Sequence, residues 1–397
     1  MNDSLFMADT LTFACCMSIG LLLVLGADAR AGTPEIVSVT QIWDQGRYQS
    51  FTDLTRFQGR WYCTFRDSDS HIWGEDGKIR VIMSRDAHHW DSVAYFAEEG
   101  RDLRDPKICV TADGRLMVTT GACVYRNEVE FARDTRVTFS PDGSHWDALQ
   151  VMTFNAPGEH ATEGHWFWRT TWHEKTAYGV SKLGGPHRAL LFSSADGIHH
   201  QLVTPLDLPD ETDGTPTKPT EATVRMLRDG SMMILFRQAW IGLSPPPFTH
   251  WTWHDVGTPA TAHATRWAPR NPTIGGPNFI QLPDGSLWGT GRQYHLPIPP
   301  TNWEKRTVLA RMDRTSYTPV LILPSGGDSS YAGMVWYEGE LWISYYSCVP
   351  GLSAFHGRQH HTNSGKMVTA PEQDFWSTEV PEGPPWPRIY LARVRFR

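Results

Sequence analysis

The sequence lacks a basic excess. Its 397 residues carry 36 Lys and Arg against 43 Asp and Glu, which gives a net charge of -7. Proteins that bind a phosphate backbone present a basic surface, so this balance argues against a nucleic-acid partner. With 40% hydrophobic and 20% charged residues, a chain of this length can bury a large core, and we expect a globular protein.

Cysteine is also scarce, and its spacing argues against two kinds of framework. Two of the six cysteines, Cys15 and Cys16, lie in an N-terminal apolar run. The others stand in strand-like segments without C-x-x-C spacing, at Cys63, Cys109, Cys123 and Cys348. We predict buried free thiols rather than disulfides or a zinc site. Because His356, His360 and His361 have no carboxylate or cysteine at a fixed spacing, we expect no metal and no cofactor.

Residues 1–31 are predicted to be a signal peptide. The apolar run FACCMSIGLLLVLG precedes ADARAG, which offers small-residue cleavage sites after Ala29 or Ala31. This run is short for a membrane span and no comparable run follows, so we expect no other membrane contact. Asp3 and Asp9 precede it without any Lys or Arg, which leaves an uncleaved anchor or a misassigned start codon as alternatives. We expect a secreted or periplasmic protein with a mature domain at 32–397.

Turns that contain glycine recur at a nearly constant interval. They occur in RFQGRWYCTF, VTADGRLMVT, RMLRDGSMMI, QLPDGSLWGT and VWYEGELWIS, at Gly59, Gly114, Gly230, Gly285 and Gly339. The intervals are 55, 116, 55 and 54 residues, and the middle of the long one is TTWHEKTAYGV, a hairpin with Glu174 and Lys175 at its turn. Six units of about 55 residues, rich in short strands, are typical of propeller blades.

The second half of each unit supplies a third strand. This strand is predicted at IRVIM, TRVTF, RALLF, AWIGL, TVLAR and IYLARV. Since little sequence follows the last of these, we expect EIVSVTQIW, near the N-terminus, to be the outer strand of the sixth blade. The predicted fold is all-β, a six-bladed β-propeller closed by an N-terminal outer strand, with a long insertion at 349–388 that forms a rim over the site.

Three arginines share one distance from a turn glycine. GRWYCTFR, GSMMILFR and GSLWGTGR each place an arginine seven residues after the glycine, at Arg66, Arg237 and Arg292. Equal distances from equivalent turns mean equal heights in equivalent blades, so we expect the three at one end of the central channel. Clustered guanidinium groups need acidic side chains or an anion among them, and their forked donors suit a carboxylate. The sequence therefore predicts a glycan substrate with an acidic group.

Polar residues precede the same turns at the start of the predicted first strands. Asp105 and Glu221 lie nine residues before their turn glycine, Tyr331 lies eight before, and Asn278 lies seven before. We expect these side chains at the same end of the channel as the arginines. Carboxylates can transfer protons there, and a phenol beside one of them is a candidate nucleophile.

The order Glu221, Arg237, Arg292, Tyr331 resembles the sialidase (neuraminidase) superfamily, in particular bacterial exo-α-sialidase-like proteins. Turns similar to Asp boxes accompany it in MSRDAHHW, FSPDGSHW and SSADGIHH, and the resemblance extends over the mature chain. It implies that the tyrosine is the nucleophile and that the glutamate takes its proton. It also implies that three arginines hold the carboxylate of sialic acid and that an aspartate in a first-blade loop is the acid/base.

Two places depart from the family pattern. Where the first arginine of the family stands in R-I-P, this chain reads SFTDL, with Ser50 at that position and Asp53 as a candidate substrate contact. Arg66 either supplies the third guanidinium or supports the acid/base. For the acid/base itself, the loop FRDSDSHIWGEDG offers two candidates and strand geometry a third, namely Asp69, His71 and Asp105.

These residues favour an exo-glycosidase that removes a terminal acidic sugar, with sialic acid the first candidate. A polysaccharide lyase acting on uronate is the second hypothesis, because propeller lyases use Tyr, His and Arg around a carboxylate. A sialidase-like carbohydrate-binding protein without catalysis is the third. Hydrolysis gives a saturated sugar, elimination gives an unsaturated product that absorbs ultraviolet light, and a lectin binds without turnover.

Overall fold

Six sheets follow one another along the chain as the blades of a propeller. The computed structural model describes residues 32–127, 129–158, 164–182, 189–210, 214, 216–259, 270–271, 274–293, 306–348, 359–361, 367–369 and 386–397. Throughout these ranges the regular structure is strand, which confirms the predicted all-β, six-bladed propeller. The predicted signal peptide and most of the predicted insertion at 349–388 lie outside the described residues. In the described part of the chain, no helix has the length and apolarity to cross a membrane.

In each blade, antiparallel strands that follow one another in sequence pair side by side, and blade 6 is completed by the first strand of the chain. Blade 1 contains β2 (Tyr48–Phe57), β3 (Arg60–Ser68), β4 (Lys78–Ser84) and β5 (Asp91–Phe96). Blade 2 contains β6 (Asp102–Val110), β7 (Leu116–Arg126), β8 (Val129–Ser140) and β9 (Gln150–Val151). Blade 3 contains β10 (Thr153–Asn155), β11 (Trp166–Phe167), β12 (Thr171–His173), β13 (Thr176–Lys182), β14 (Ala189–Ser194) and β15 (His199–Leu206), with β10 parallel to β15.

The remaining blades repeat the pattern. Blade 4 contains β16 (Ala222–Met226), β17 (Met232–Phe236), β18 (Trp240–Ser244) and β19 (Thr252–Asp255). A hairpin of β20 (Thr258–Pro259) and β21 (Arg270–Asn271) follows. Blade 5 contains β22 (Gly275–Gln281), β23 (Leu287–Gln293), β24 (Arg306–Met312) and β25 (Tyr317–Ile322). Blade 6 contains β26 (Ser329–Tyr337), β27 (Glu340–Ser347), β30 (Arg388–Phe396) and β1 (Pro34–Trp43); a hairpin of β28 (Gln359–His361) and β29 (Met367–Thr369) lies between β27 and β30 in sequence.

The first strand of the described chain closes the ring. β1 pairs antiparallel with β30, in a register that runs from Pro34 opposite Phe396 to Trp43 opposite Ile389. The predicted closure by an N-terminal outer strand is therefore confirmed. This pairing covers the sheet edge that β30 would otherwise expose.

The hydrophobic core is divided into clusters that lie between neighbouring blades. Between blades 1 and 2, for example, Tyr62 and Val81 pack with Ile108 and Val118. Similar clusters join the other pairs, including blades 6 and 1. Hydrophobic burial between the blades thus fixes the inner strands around the channel. The four cysteines that the structure describes are free thiols; Cys63 and Cys123 are buried as predicted, whereas Cys109 and Cys348 are only partly buried.

Four inner strands carry the same irregularity near their starts. β2, β6, β22 and β26 each shift register after a few residues, which is a β-bulge. The residue after the last pair before each shift has a positive φ, namely Phe51 (62°), Asp105 (56°), Gly276 (64°) and Tyr331 (52°); in β26 the preceding Ser330 also has one, 140°. Bulges redirect side chains and are common beside active sites. Here they occur at one end of the channel in blades 1, 2, 5 and 6.

Candidate active site

A tyrosine and a glutamate meet at this end of the channel. The Tyr331 hydroxyl donates a hydrogen bond to Glu221 Oε1 across 2.6 Å. Tyr331 comes from the bulge of β26, and Glu221 directly precedes β16. Both residues are more than nine-tenths buried. The structure thus joins two residues that are 110 positions apart, in the pairing that the sequence predicted for a nucleophile and its proton acceptor.

Two further donors hold Glu221 as a carboxylate. Arg237 Nη1 lies 2.6 Å from Oε1, and the amide of Gly276 donates to Oε2 at 2.7 Å. Burial raises the pKa of Glu221, but Arg237, Tyr331 and Gly276 outweigh it and lower that pKa to about 2. Glu221 is therefore ionised across the working pH range of most enzymes.

The Tyr331 ring stands in an aromatic enclosure. Its centroid lies 4.8 Å from that of Phe51, 5.4 Å from that of Trp168 and 6.0 Å from that of Tyr346. Burial, followed by the negative charges of Glu221 and Asp105, raises the pKa of Tyr331 well above its usual value. The phenol stays neutral at rest, and its proton can leave only as a new bond forms to the oxygen.

Asp105 is a buried carboxyl group with an oxygen that lacks a partner. Among the described residues nothing hydrogen-bonds its Oδ1, and Arg104 Nε is 3.7 Å from its Oδ2. Burial raises the pKa of Asp105 despite the nearby charges of Arg104 and Lys107, and Glu221 raises it further. A raised carboxyl pKa beside an ionised carboxylate is the arrangement expected of a general acid.

A small pocket lies between these groups. Its walls are formed by Trp166, Trp168, Lys182, Thr220 and Glu221. On one side Trp168 contacts the ring of Tyr331. On the other, the guanidinium carbon of Arg104 is 5.7 Å from the centroid of Trp166. The pocket therefore exposes Glu221 on its wall, whereas Tyr331 and Arg104 lie behind Trp168 and Trp166.

The loop after β3 holds the other two acid/base candidates. Asp69 is half-buried, and its Oδ1 accepts a hydrogen bond from the Glu75 amide at 2.8 Å. His71 Nδ1 lies 2.6 Å from Asp328 Oδ2, and its ring makes an edge contact with Phe51 at 5.1 Å. Burial lowers the pKa of His71 even though Asp328 raises it, so the imidazole is uncharged near neutral pH.

The three repeated arginines do not form one open cluster, which corrects the sequence prediction. Arg66 is fully buried, and its Nη2 donates to Asp102 Oδ1 at 2.7 Å. Arg66 Nη1 also donates to the carbonyl of Ser70, next to Asp69 and His71. Equal height in equivalent blades is correct, but the side chain turns toward the neighbouring blade instead of the pocket. Arg66 therefore fits the support role rather than the role of third guanidinium.

Arg237 and Arg292 both approach the Tyr331–Glu221 pair, and each is bonded to a carboxylate of the chain. Arg237 pairs with Glu221, as described above. Arg292 Nη1 donates to Asp328 Oδ1 at 3.1 Å and to the carbonyl of Ser329 at 3.3 Å. The charges of both arginines act on Tyr331 and lower its pKa against the larger effect of burial.

Asp53 and Asn278 join inner strands, which also differs from their predicted contact with substrate. Asp53 accepts from Arg169 Nη1 at 2.6 and 2.7 Å and from the Ile108 amide at 3.0 Å. The Asn278 side chain donates to the carbonyl of Ala332 and accepts from Arg225, both at 2.9 Å. Both residues are fully enclosed, with 1% and 0% of their surface exposed. Counting from the turns gave their height correctly but not the direction of the side chain.

Several residues of the site escaped the sequence reasoning. Asp328 accepts hydrogen bonds from Tyr48, Tyr346 and Arg292, although it lies only three positions before Tyr331. Lys107 Nζ lies 5.5 Å from the centroid of the Tyr331 ring, and burial, followed by the charge of Arg169, lowers its pKa to about 8. Asp328 and Asp102 occupy equivalent positions at the start of two inner strands, and this repeat could have been found in the sequence. Trp166 and Trp168 of the pocket wall have no such repeat.

In the described part of the chain, no group of three or more His, Cys, Asp or Glu residues could hold a metal ion. His356 lies outside that part. No family model matches the sequence, and no curated protein matches it.

Solved structures share the fold. A protein of unknown function from Dyadobacter fermentans has a TM-score of 0.64 at 14% identity, over 92% of this chain and 99% of that one. A sialidase from Trypanosoma rangeli has a TM-score of 0.59 at 11% identity, over 91% of this chain and 60% of that one. An α-L-arabinofuranosidase from Fusarium graminearum, solved with arabinobiose, has a TM-score of 0.54 at 12% identity, over 91% of this chain and 98% of that one. The chain has the fold of propeller glycosidases, and the sialidase-like resemblance is confirmed at the level of fold.

Proposed function

We propose that this protein is a retaining exo-glycosidase in which Tyr331 is the nucleophile and Glu221 takes its proton. The observation that carries this proposal is the 2.6 Å hydrogen bond from the Tyr331 hydroxyl to Glu221 Oε1. A neutral phenol needs a base within hydrogen-bond reach, and the fold brings such a base from another blade. The similarity to propeller glycosidases supports the same reaction class.

The first step forms a glycosyl-tyrosine. The Tyr331 oxygen attacks the anomeric carbon while its proton moves to Glu221 Oε1. The bond from that carbon to the leaving oxygen breaks, and the carboxyl group of Asp105 donates a proton to this oxygen. The leaving alcohol is then neutral, and Asp105 is a carboxylate.

The second step restores the enzyme. Asp105 takes a proton from water as the water oxygen attacks the anomeric carbon on the opposite face from Tyr331. The phenol oxygen leaves and recovers its proton from Glu221. Two displacements at one carbon retain its configuration, and the released sugar is saturated.

Asp105 is a better acid than the two loop candidates. Its pKa is raised, and its Oδ1 lacks a partner among the described residues, so a leaving oxygen can take that place. Asp69, by contrast, already accepts a backbone hydrogen bond, and His71 is uncharged and bonded to Asp328. These contacts indicate that Asp69 and His71 hold the conformation of the loop after β3.

Hydrolysis, elimination and simple binding give different results in one experiment. Residues 32–397 are incubated with sialylated, uronate-containing and neutral glycans, and the products are analysed by mass and anomeric configuration. We expect a terminal sugar released with retained configuration, and a 2-fluoro sugar bound covalently to the peptide that contains Tyr331. An ultraviolet-absorbing unsaturated product would identify a lyase, and binding without turnover by a folded protein would identify a lectin.

We also propose that the protein is exported, because an apolar run and small-residue cleavage sites precede residue 32. Expression of the full sequence with a C-terminal tag tests this. A mature N-terminus at residue 30 or 32 in the medium or periplasm is expected. An intact N-terminus in the membrane fraction would indicate the anchor instead.

A further inference from the structure

The first paired residue after the bulge differs among the four inner strands that carry one. This position holds Asp53 in β2, Lys107 in β6, Asn278 in β22 and Gly333 in β26. The side chains of Asp53 and Asn278 bond to the inner strand of the next blade, at the Ile108 amide and the Ala332 carbonyl. Lys107 departs from this pattern, because its ammonium group bonds within its own strand.

Lys107 folds back onto the bulge that presents Asp105. Its Nζ donates to the carbonyl of Asp105 at 3.2 Å and to that of Pro106 at 2.9 Å. These are the two residues that the β6–β7 ladder leaves unpaired, between Arg104 and Lys107. Since a bulge interrupts the ladder, the ammonium group supplies donors where β7 does not. Lys107 thereby helps to fix the backbone of Asp105 at its positive φ of 56°.

The same ammonium group lies against two aromatic rings of the site. Lys107 Nζ is 4.5 Å from the ring centroid of Trp168 and 5.5 Å from that of Tyr331. A cation at such a distance from a ring centroid is attracted by the negative face of the ring. The attraction grows when a phenol becomes a phenolate, because the ring then carries part of the negative charge. Lys107 is therefore placed to respond to the charge on Tyr331.

Lys107 is also a buried cation, with 2% of its surface exposed, and it has no carboxylate within ion-pair distance among the described residues. The charged groups around it are Asp105 on its own strand, Asp53 of β2, Arg169 between β11 and β12, and Glu221 before β16. Burial, followed by the charge of Arg169, lowers the pKa of Lys107 to about 8. The ammonium form thus predominates at neutral pH, and no ion pair within the described residues neutralises it.

We propose that Lys107 is a positioning residue for the candidate acid and the candidate nucleophile: it holds the bulge of Asp105 and stabilises the negative charge on Tyr331 as the glycosyl-tyrosine breaks down. This inference rests on the proposed glycosidase function. In that step water attacks the anomeric carbon, and the bond from this carbon to the phenol oxygen breaks. Its electron pair stays on the phenol oxygen, to which Glu221 returns the proton. Lys107 neither gives nor takes a proton.

Trapping of the glycosyl-tyrosine tests this role. The probes are the 2-deoxy-2-fluoro glycosyl fluorides of glucose, galactose and arabinofuranose, and 2,3-difluoro sialic acid. The mass of intact residues 32–397 follows formation and decay of the adduct. The adduct of Lys107→Met should decay about ten- to thirtyfold more slowly than that of the wild type, the range of a buried cation–π contact, with unchanged affinity for the released sugar.

A second variant separates the charge from the contact with the bulge. Lys107→Gln keeps a donor for the two carbonyls and removes the charge, so its adduct should decay as slowly as that of Lys107→Met. Decay at the wild-type rate in Lys107→Gln would show that the charge has no effect on Tyr331, and would overturn the inference.

The pH dependence of decay is a readout that a merely structural lysine would not change. Asp105 acts as the base in this step, so its ionisation makes the rate rise with pH. Loss of the Lys107 proton acts in the opposite sense, because a neutral amine does not stabilise a phenolate. Wild-type decay should therefore fall as pH rises through about 8, and both Lys107 variants should lack this fall. A fall that persists in the variants would assign it to another group, such as Glu221, and would overturn the inference.

Arg136→Met is the matched control. Arg136 is a buried cation on the third strand of the same blade, where it bonds to Glu98. The adduct of this variant should decay at the wild-type rate and with the wild-type pH profile. Equally slow decay in Arg136→Met would show that loss of any buried cation from blade 2 has this effect, which contradicts a specific role for Lys107.

The inference and the proposed function fail in different ways. Wild-type decay rates in the Lys107 variants would reject the inference and leave Tyr331 as the nucleophile. Absence of any adduct on the wild-type peptide that contains Tyr331 would reject the proposed nucleophile itself, and the inference with it.

Discussion

Asp105 and Tyr331 occupy equivalent positions in two different blades. Each directly follows the last paired residue before the bulge of an innermost strand, and each has a positive φ, 56° and 52° respectively. A left-handed conformation is costly for residues other than glycine, and such strain is concentrated at functional sites. The same bulge position thus presents a carboxyl group in blade 2 and a phenol in blade 6.

The Tyr331–Glu221 hydrogen bond predicts that the two residues act as a unit. Tyr331→Phe should keep the fold and sugar binding but lose turnover by several orders of magnitude, and Glu221→Gln should do much the same. Because both changes remove one attack step, the double variant should be scarcely slower than either single variant. Single-turnover rates and calorimetric binding measure this. Additive losses would mean that the two residues contribute independently.

The raised pKa of Asp105 predicts both a leaving-group effect and a pH effect. Asp105→Asn should retain much of its activity on aryl glycosides with good leaving groups and lose it on natural glycans, whose alcohols need a proton. Because the acid must be protonated, wild-type kcat/KM should fall as pH rises through the raised pKa of Asp105. That alkaline limb should be missing in Asp105→Asn, whereas the pKa of about 2 for Glu221 puts its protonation far into acid.

Asp69→Asn is the matched control for Asp105→Asn. It removes a carboxylate from the loop candidate and should leave the alkaline limb and the leaving-group dependence unchanged. The melting temperature of Asp105→Asn should not fall near neutral pH. A carboxyl group with a raised pKa in the fold weakens stability as pH rises above its unfolded value, and asparagine removes that penalty. If Asp69→Asn instead loses the limb, the loop supplies the acid.

The buried Arg66–Asp102 pair predicts a loss of stability separate from chemistry. Arg66→Met leaves buried Asp102 with the Gly77 amide and a longer, 3.8 Å contact to Arg104 Nη1. Because breaking a buried pair costs about 3 to 5 kcal/mol, we expect a loss of up to that size. Urea unfolding should show this loss, and Arg66→Met combined with Asp102→Asn should recover part of it. A stable Arg66→Met protein with weakened substrate binding would return Arg66 to the role of substrate arginine.

The parts of the fold and site that repeat could be predicted from the sequence. Glycine turns at a constant interval gave the blade number, and counting from them gave the height of Glu221, Arg237 and Tyr331 correctly. Counting could not give direction, because a bulge or a turn of χ1 sends two residues of equal height to different places. Arg66 and Asp53 are examples, since each points to a carboxylate or arginine of another blade.

Ion pairs between blades were the other feature that the sequence could not predict. Whether Arg292 meets a substrate or Asp328 depends on which residues the closed ring brings together, 36 positions apart in this case. Sequence spacing within one unit carries no information on that contact. The Arg292–Asp328 pair therefore needed the structure, whereas the pairing of Tyr331 with Glu221 could be predicted from the sequence.

The pairing of β1 with β30 predicts how the ring opens. Deletion of residues 1–43 removes the outer strand of blade 6 and leaves the backbone groups of β30 from Ile389 to Phe396 without that partner. The apolar side chains that β1 packs against blade 1, Ile42 and Trp43, are lost as well. We expect a clear fall in melting temperature and a tendency to associate through the exposed edge, measured by calorimetry and light scattering. Deletion of residues 1–31 alone keeps every one of these contacts and should leave the melting temperature of the full sequence unchanged. Equal melting temperatures for the two truncations would show that the propeller is held by its inner strands and not by this closure.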